Sequence, residues 1–213
     1  MNSFLEKHKK LIVFNWAIIH IVGAVGLNLS ISQRLFEQLS VFTLLCSACI
    51  ILFAHSEKNI SYFVFILFVF LSGFIAEIIG VRTGLIFGTY HYTPTLGYSV
   101  MGVPLIIGVN WVALTYCTAQ LADRFVSHPI LAIIVAALLL VMLDILLEFF
   151  AVKHQLWVWE NRAYPPFQNF VGWFLVGCIT HFIFRISIKK SNNNFADWYT
   201  ATLFIFLVID FIC

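Results

Sequence analysis

Three acidic side chains stand where acids are costly. Glu77, Asp144 and Glu148 each lie in, or at the end of, a long apolar run. Ionisable groups at membrane depth are expensive and point to function by default. Asp144 and Glu148 are four residues apart, so on a helix they share one face, about 6 Å apart along its axis. Apolar surroundings penalise the charged form of a carboxyl group and can keep it protonated near neutrality, which suits a general acid. Asp144 follows the run LLLVML and lies deeper than Glu148, so it is the first choice for that acid, with Glu77 the alternative. Glu148, nearer the water, would position a water molecule and take its proton. The competing reading is a purely structural cluster, with Glu77 paired to Arg82 and Glu148 touching Lys153.

Aromatic residues crowd the connections beside these acids: Tyr90, Tyr92 and Tyr98, then Trp157, Trp159 and Tyr164. Any one of them reads equally as an interfacial anchor. As a set they offer ring faces that stabilise a cation, and a protonated acid walled by rings suits chemistry through a carbocation. Asn110, Trp111, Asn169 and Trp173 add polar groups at the nearest helix ends, where either asparagine could hold a water or bridge helices. The stretch GLIFGTYHYT, residues 84–93, interrupts the apolar pattern. Gly84 and Gly88 let the backbone fold back into the headgroup layer, which is tolerated only against protein or a wet cavity. Tyr90, His91 and Tyr92 would then close the mouth of a pocket, the alternative being an aromatic interfacial loop.

The elements that must hold these groups are membrane spans. Of 213 residues, 62% are hydrophobic and 10% charged, against about one quarter charged in soluble domains, so the chain reads as a single integral membrane domain over 1–213. Runs of about 20 apolar residues fall at 11–29, 35–54, 60–80, 104–122, 130–150, 170–186 and 198–213, the last of them short. The expected fold is an all-α, polytopic helical bundle of about seven transmembrane helices, with two long interfacial connections, 82–103 and 152–169, on one face. Gly23 and Gly26 in the first span permit close helix approach. No internal repeat is evident. Lys and Arg number eight on the N-terminal side (Lys7, Lys9, Lys10, Lys58, Arg124, Arg185, Lys189, Lys190) and four on the other (Arg34, Arg82, Lys153, Arg162), which places the N-terminus in the cytoplasm. The first run is read as a retained helix of a bacterial cytoplasmic membrane protein, not a cleaved signal.

Several classes are excluded by composition. A net charge of +2 gives no reason to expect nucleic acid. The seven histidines are scattered singly, unlike the clustered boxes of di-iron membrane oxidases. The last span has no lysine to carry a retinal, and Gly84 and Gly88 lack the context of a phosphate loop. Cys46, Cys49, Cys117, Cys178 and Cys213 read as small buried thiols, since CSAC has no second Cys/His pair beside it. Asp210 is assigned no role.

The series AEIIGVRTGLIFGTYHYTPTLGYSVMGVPL, NW, LDILLEFFAVKHQLWVWE and YPPFQNFVGWF, in that order and spacing, resembles the carotenoid biosynthesis membrane protein family, which includes carotenoid 1,2-hydratases. The resemblance spans residues 77–173, and the first two spans and the last contribute nothing to it. It implies addition of water to the terminal C1–C2 double bond of an acyclic carotenoid end, giving a tertiary alcohol. The substrate would come from the lipid bilayer, with room for association with other carotenoid-pathway enzymes. No metal or organic cofactor is called for. Two other readings share the same residues. A membrane lycopene-type cyclase would capture the cation with an internal double bond, and a proton-coupled transporter or carotenoid-binding protein would use the carboxylates for relay.

Overall fold

Each apolar run becomes a helix, because in lipid a backbone must satisfy its own polar groups. The computed structural model describes residues 3–189 and 192–212. A short α1 (Ser3–Lys7) leads into α2 (Lys9–Asn28), α3 (Gln33–Phe53), α4 (Ile60–Thr83), α5 (Leu105–Phe125), α6 (Pro129–Lys153), α7 (Phe167–Ser187) and α8 (Asn194–Ile212). Among the described residues, α2 to α8 are seven helices long and apolar enough to cross a membrane, so the chain is an integral membrane protein of the expected bundle type. The run expected to be short is a helix of 19 residues, about 28 Å at 1.5 Å per residue. Lys190 and Cys213 lie outside the described residues.

The helix order buries α5. Of its most apolar stretch 78% is buried, against 17% for α3, yet α5 is the least apolar of the seven. These facts have one cause: a helix surrounded by protein can carry Thr115, Thr118 and Gln120, all buried, where a lipid-facing helix could not. Two short antiparallel ribbons, absent from the sequence reading, decorate one membrane face. The strand β1 (Tyr90–Tyr92) pairs with β4 (Trp157–Trp159), and β2 (Ser99–Val100) pairs with β3 (Val103–Pro104). The face is the one where α4 and α6 end and α5 and α7 begin.

Polar ties fasten α8 at both ends. Toward its start, the Asn193 N–H donates to Gln120 Oε1 at 3.0 Å and Asn193 Nδ2 to the Ile51 carbonyl at 2.8 Å, while Arg124 pairs with Asp197. At the other end Asp210 is buried and meets Asn28 Nδ2 and His154 Nε2, each at 2.9 Å, with Lys153 Nζ at 3.7 Å. Asp210 thus joins α8 to α2 and α6. It also occupies the lysine expected beside Glu148. Cys117 is buried as expected, whereas Cys46 and Cys49 face outward from α3, correcting the reading of CSAC as buried thiols. Asp210→Ala removes the acceptor of one buried and one half-buried hydrogen bond and should cost about 1–3 kcal/mol, measured as a lowered thermal midpoint in detergent.

Candidate active site

The segment after α4 turns sharply because Gly84 adopts φ +68°, a left-handed helix cap whose N–H returns to the Gly80 carbonyl. The chain then runs back as β1 and aligns Tyr90 with Trp159, His91 with Val158 and Tyr92 with Trp157. Strand side chains alternate between faces. One face of the ribbon therefore presents two phenols and two indoles toward the helix ends, and the other presents His91 and Val158 outward, both exposed. The rings pair across the strands, with centroids 5.0 Å apart for Tyr90 and Trp159 and 5.9 Å for Tyr92 and Trp157.

Each strand serves one acid. The Tyr90 hydroxyl donates to Glu77 Oε2, the Tyr92 hydroxyl donates to the same oxygen at 2.8 Å, and Trp111 Nε1 donates to Glu77 Oε1 at 3.1 Å. From β4, Trp157 Nε1 and Trp159 Nε1 donate to Glu148 Oε2 at 3.2 and 2.9 Å. Both acids are buried, at 2% and 4% exposure, so without these donors their desolvation would go uncompensated. Trp111 reaches Glu77 because Gly73, one turn earlier on α4, leaves room: a Cβ there would stand 2.3 Å from Trp111 Cγ. Trp111 stacks on Trp173, centroids 4.4 Å apart and planes at 19°.

Asn169, buried at the start of α7, joins the remaining groups. Its Nδ2 donates to Asp144 Oδ2 at 2.8 Å and approaches Glu148 Oε1 at 3.3 Å. Asp144 is fully buried, and its Oδ1 has no hydrogen-bond partner among the described residues. Among the described residues Glu77 makes no pair with Arg82, which is exposed, and Glu148 makes none with Lys153, so the two ion pairs expected in the competing structural reading do not form. Burial first, then the Glu77 carboxyl, push the Tyr90 and Tyr92 phenols well above their ordinary value of 10.0, so both remain donors.

These groups wall a cavity of about 440 Å³. Glu77, Glu148, Tyr90, Tyr92, Trp157 and Trp159 line it, as do Asn110, Asn169 and Trp173. The Asn110 amide makes no side-chain hydrogen bond to a described residue. Three placements differ from the sequence reading. Asp144 does not line the cavity, because α6 directs it at α7 and Asn169. His91 does not close the mouth, because strand alternation turns it outward. Trp111 is fully buried behind Glu77 and does not line the cavity, acting on the site through its hydrogen bond. Tyr98 and Tyr164, 77% and 67% exposed, stand apart as interfacial rings. Phe87 also lines the cavity; only its buried packing beside Tyr90 reveals it. The two acids share one construction, a helix with Glu in its last two turns followed by an aromatic–x–aromatic strand. The alternations Tyr-His-Tyr and Trp-Val-Trp were its signal in the sequence.

Residues 38–213 match the family model described as carotenoid biosynthesis protein. The matched stretch extends beyond residues 77–173 to take in most of α3 and all of α8, which the resemblance had left out. No curated protein and no solved structure matches the chain.

Gly73→Ala forces the Trp111 indole to move, and overpacking of this kind costs about 1–3 kcal/mol; a lowered thermal midpoint with altered indole fluorescence would record it. Tyr90→Phe and Tyr92→Phe should each remove less phenolate absorbance at about pH 10 than loss of an ordinary tyrosine would, since both phenols are raised. The sign follows from linkage. A phenol raised in the folded state contributes its full stability below its unfolded value and loses it as the pH rises toward the folded one.

Proposed function

We propose that this chain, which belongs to the carotenoid biosynthesis protein family, adds water across the terminal C1–C2 double bond of an acyclic carotenoid end. The observation that carries the reading is the placement of two carboxylates, Glu77 and Glu148, on the wall of one aromatic cavity. The reaction needs an acid, a wall that tolerates a cation, and a held water with a proton acceptor. A proton bonds to C2, the inner carbon, and the double-bond pair is spent in that bond. C1, which carries two methyl groups, becomes a tertiary cation. A water oxygen then bonds to C1, and the surplus proton leaves that oxygen for a carboxylate.

In this reading the acid and base exchange the parts expected from the sequence. Asp144 and Glu148 share the Asn169 amide, and only Glu148 reaches the cavity, so Glu148 delivers the proton with Asp144 as its buried partner. Glu77, oriented by three donors on the cavity wall, takes the proton from water. The faces of Tyr90, Tyr92 and Trp173 surround the cation. The unpartnered Asn110 amide holds the water, which favours hydration over cyclisation. Glu77 returns the proton to Glu148 through water at the mouth, closing the cycle. With the N-terminus in the cytoplasm of a bacterial cell, as the excess of Lys and Arg argues, that mouth faces outward.

The test is co-expression with a pathway that makes an acyclic carotenoid, followed by mass analysis of the pigment. The expected product is heavier by one water. Glu148→Gln and Glu77→Gln should each reduce conversion by about 100-fold or more, the scale of general acid–base catalysis, while Asp144→Asn, which still accepts from Asn169, should lose less. A product of unchanged mass with a new ring would replace this reading with the cyclase. Unaltered pigment together with proton-linked uptake would replace it with the transporter.

A further inference from the structure

We infer that the bilayer flank between α2 and α3 is the entrance to this site: a side window that admits one linear end of a lipid-dissolved polyene while the rest of the molecule stays among the acyl chains. The choice of a polyene rests on the proposed function; the window rests on geometry alone.

The two helices touch at two levels and part between them. Near the strand-bearing face, Phe36 packs so closely on Gly26 that a Cβ there would stand 2.3 Å from the ring. Farther down, Trp16 Nε1 donates to Ser47 Oγ at 2.7 Å. Ten residues of α2 separate these contacts, about 15 Å of helix. Between them, Ile19 and Val22 on α2 and Leu39 and Phe42 on α3 line the cavity and are 41–65% exposed, too accessible for the walls of a sealed chamber. Side chains that face both the cavity and the lipid mark an opening. Its hydroxyls demand no water, because Ser40 donates to the Phe36 carbonyl and Thr43 to that of Leu39.

Gly23 sits at the middle of the α2 edge and lines the cavity. A Cβ on it would meet only Phe206 Cε2, at an ordinary 3.7 Å. A small residue here leaves the opening wide, and the helix itself does not require it. A full-length carotenoid is about as long as the hydrocarbon layer is thick, roughly 30 Å, twice the height of the window. One end therefore reaches Glu77 and Glu148 while the far end remains in lipid, and the chemistry of that far end does not affect entry. The α2 edge lies upstream of residues 38–213, outside the matched family stretch, whereas Leu39 and Phe42 on the α3 edge lie within it.

The experiment uses the full chain in lipid nanodiscs titrated with lycopene, reading energy transfer from the cavity indoles Trp157, Trp159 and Trp173 to the polyene. Gly23→Phe should weaken binding about tenfold or more, and Gly23→Ala should give an intermediate loss. Ile21→Phe, on the same helix but exposed to lipid and away from the cavity, should bind as the parent does. A polyene with one bulky capped end should bind as well as lycopene. The window is overturned if Gly23→Phe, eluting as a folded protein, binds lycopene like the parent, or if the capped polyene fails to bind. Binding that Gly23→Phe abolishes, in a parent that adds no water, supports the window and sinks only the hydratase reading.

Discussion

A carboxyl group buried among hydrocarbon must find hydrogen-bond donors, and that requirement shapes the whole strand-bearing face of the molecule. Glu77 and Glu148 sit near the ends of two helices where water is scarce, and a cation beside either would only cancel its reactivity. The donors are instead neutral: two phenols, three indoles and an amide. Neutral donors hold a carboxylate in place without locking it into an ion pair. The antiparallel ribbon brings four of these donors to the helix ends, while Trp111 and Asn169 come from α5 and α7.

The same rings serve two purposes. Their polar groups address the acids, and all but Trp111 also line the cavity, which gives it an aromatic wall. The central helix contributes little to the ribbon and much to its support. Trp111, from the second turn of α5, reaches between Gly73 and Glu77, and its stacking on Trp173 ties α4, α5 and α7 into one wall. The positions of the acids are therefore set by packed helices, and the loops only finish them.

Much of this was legible in the sequence. Long apolar runs announced the spans, and the cost of acids in lipid singled out Glu77, Asp144 and Glu148. The even count of spans between the two long connections put both on one face. The strands were not read, because three residues are too few for periodicity to speak, although Tyr-His-Tyr and Trp-Val-Trp carried the inside–outside alternation that turns His91 away. Asp144 was misplaced for a different reason. Helix α6 is apolar on nearly every side, so its sequence does not show how it is rotated, and only the contact with Asn169 does. Lys153 seemed a natural partner for Glu148 until α8 supplied Asp210, a contact between residues 57 apart that no local pattern encodes.

The hydrogen bonds from the ribbon are short in sequence as well as in space. Tyr90 and Tyr92 follow Glu77 by 13 and 15 residues, and Trp157 and Trp159 follow Glu148 by 9 and 11. During biosynthesis each acid can thus receive its strand donors soon after its helix leaves the ribosome, and Glu77 can do so before the half that carries Glu148 exists. Pairing of the two strands then unites halves that are already electrostatically quiet. An unfinished chain waiting in the membrane need not expose a bare acid that would draw quality-control proteases or the wrong neighbour.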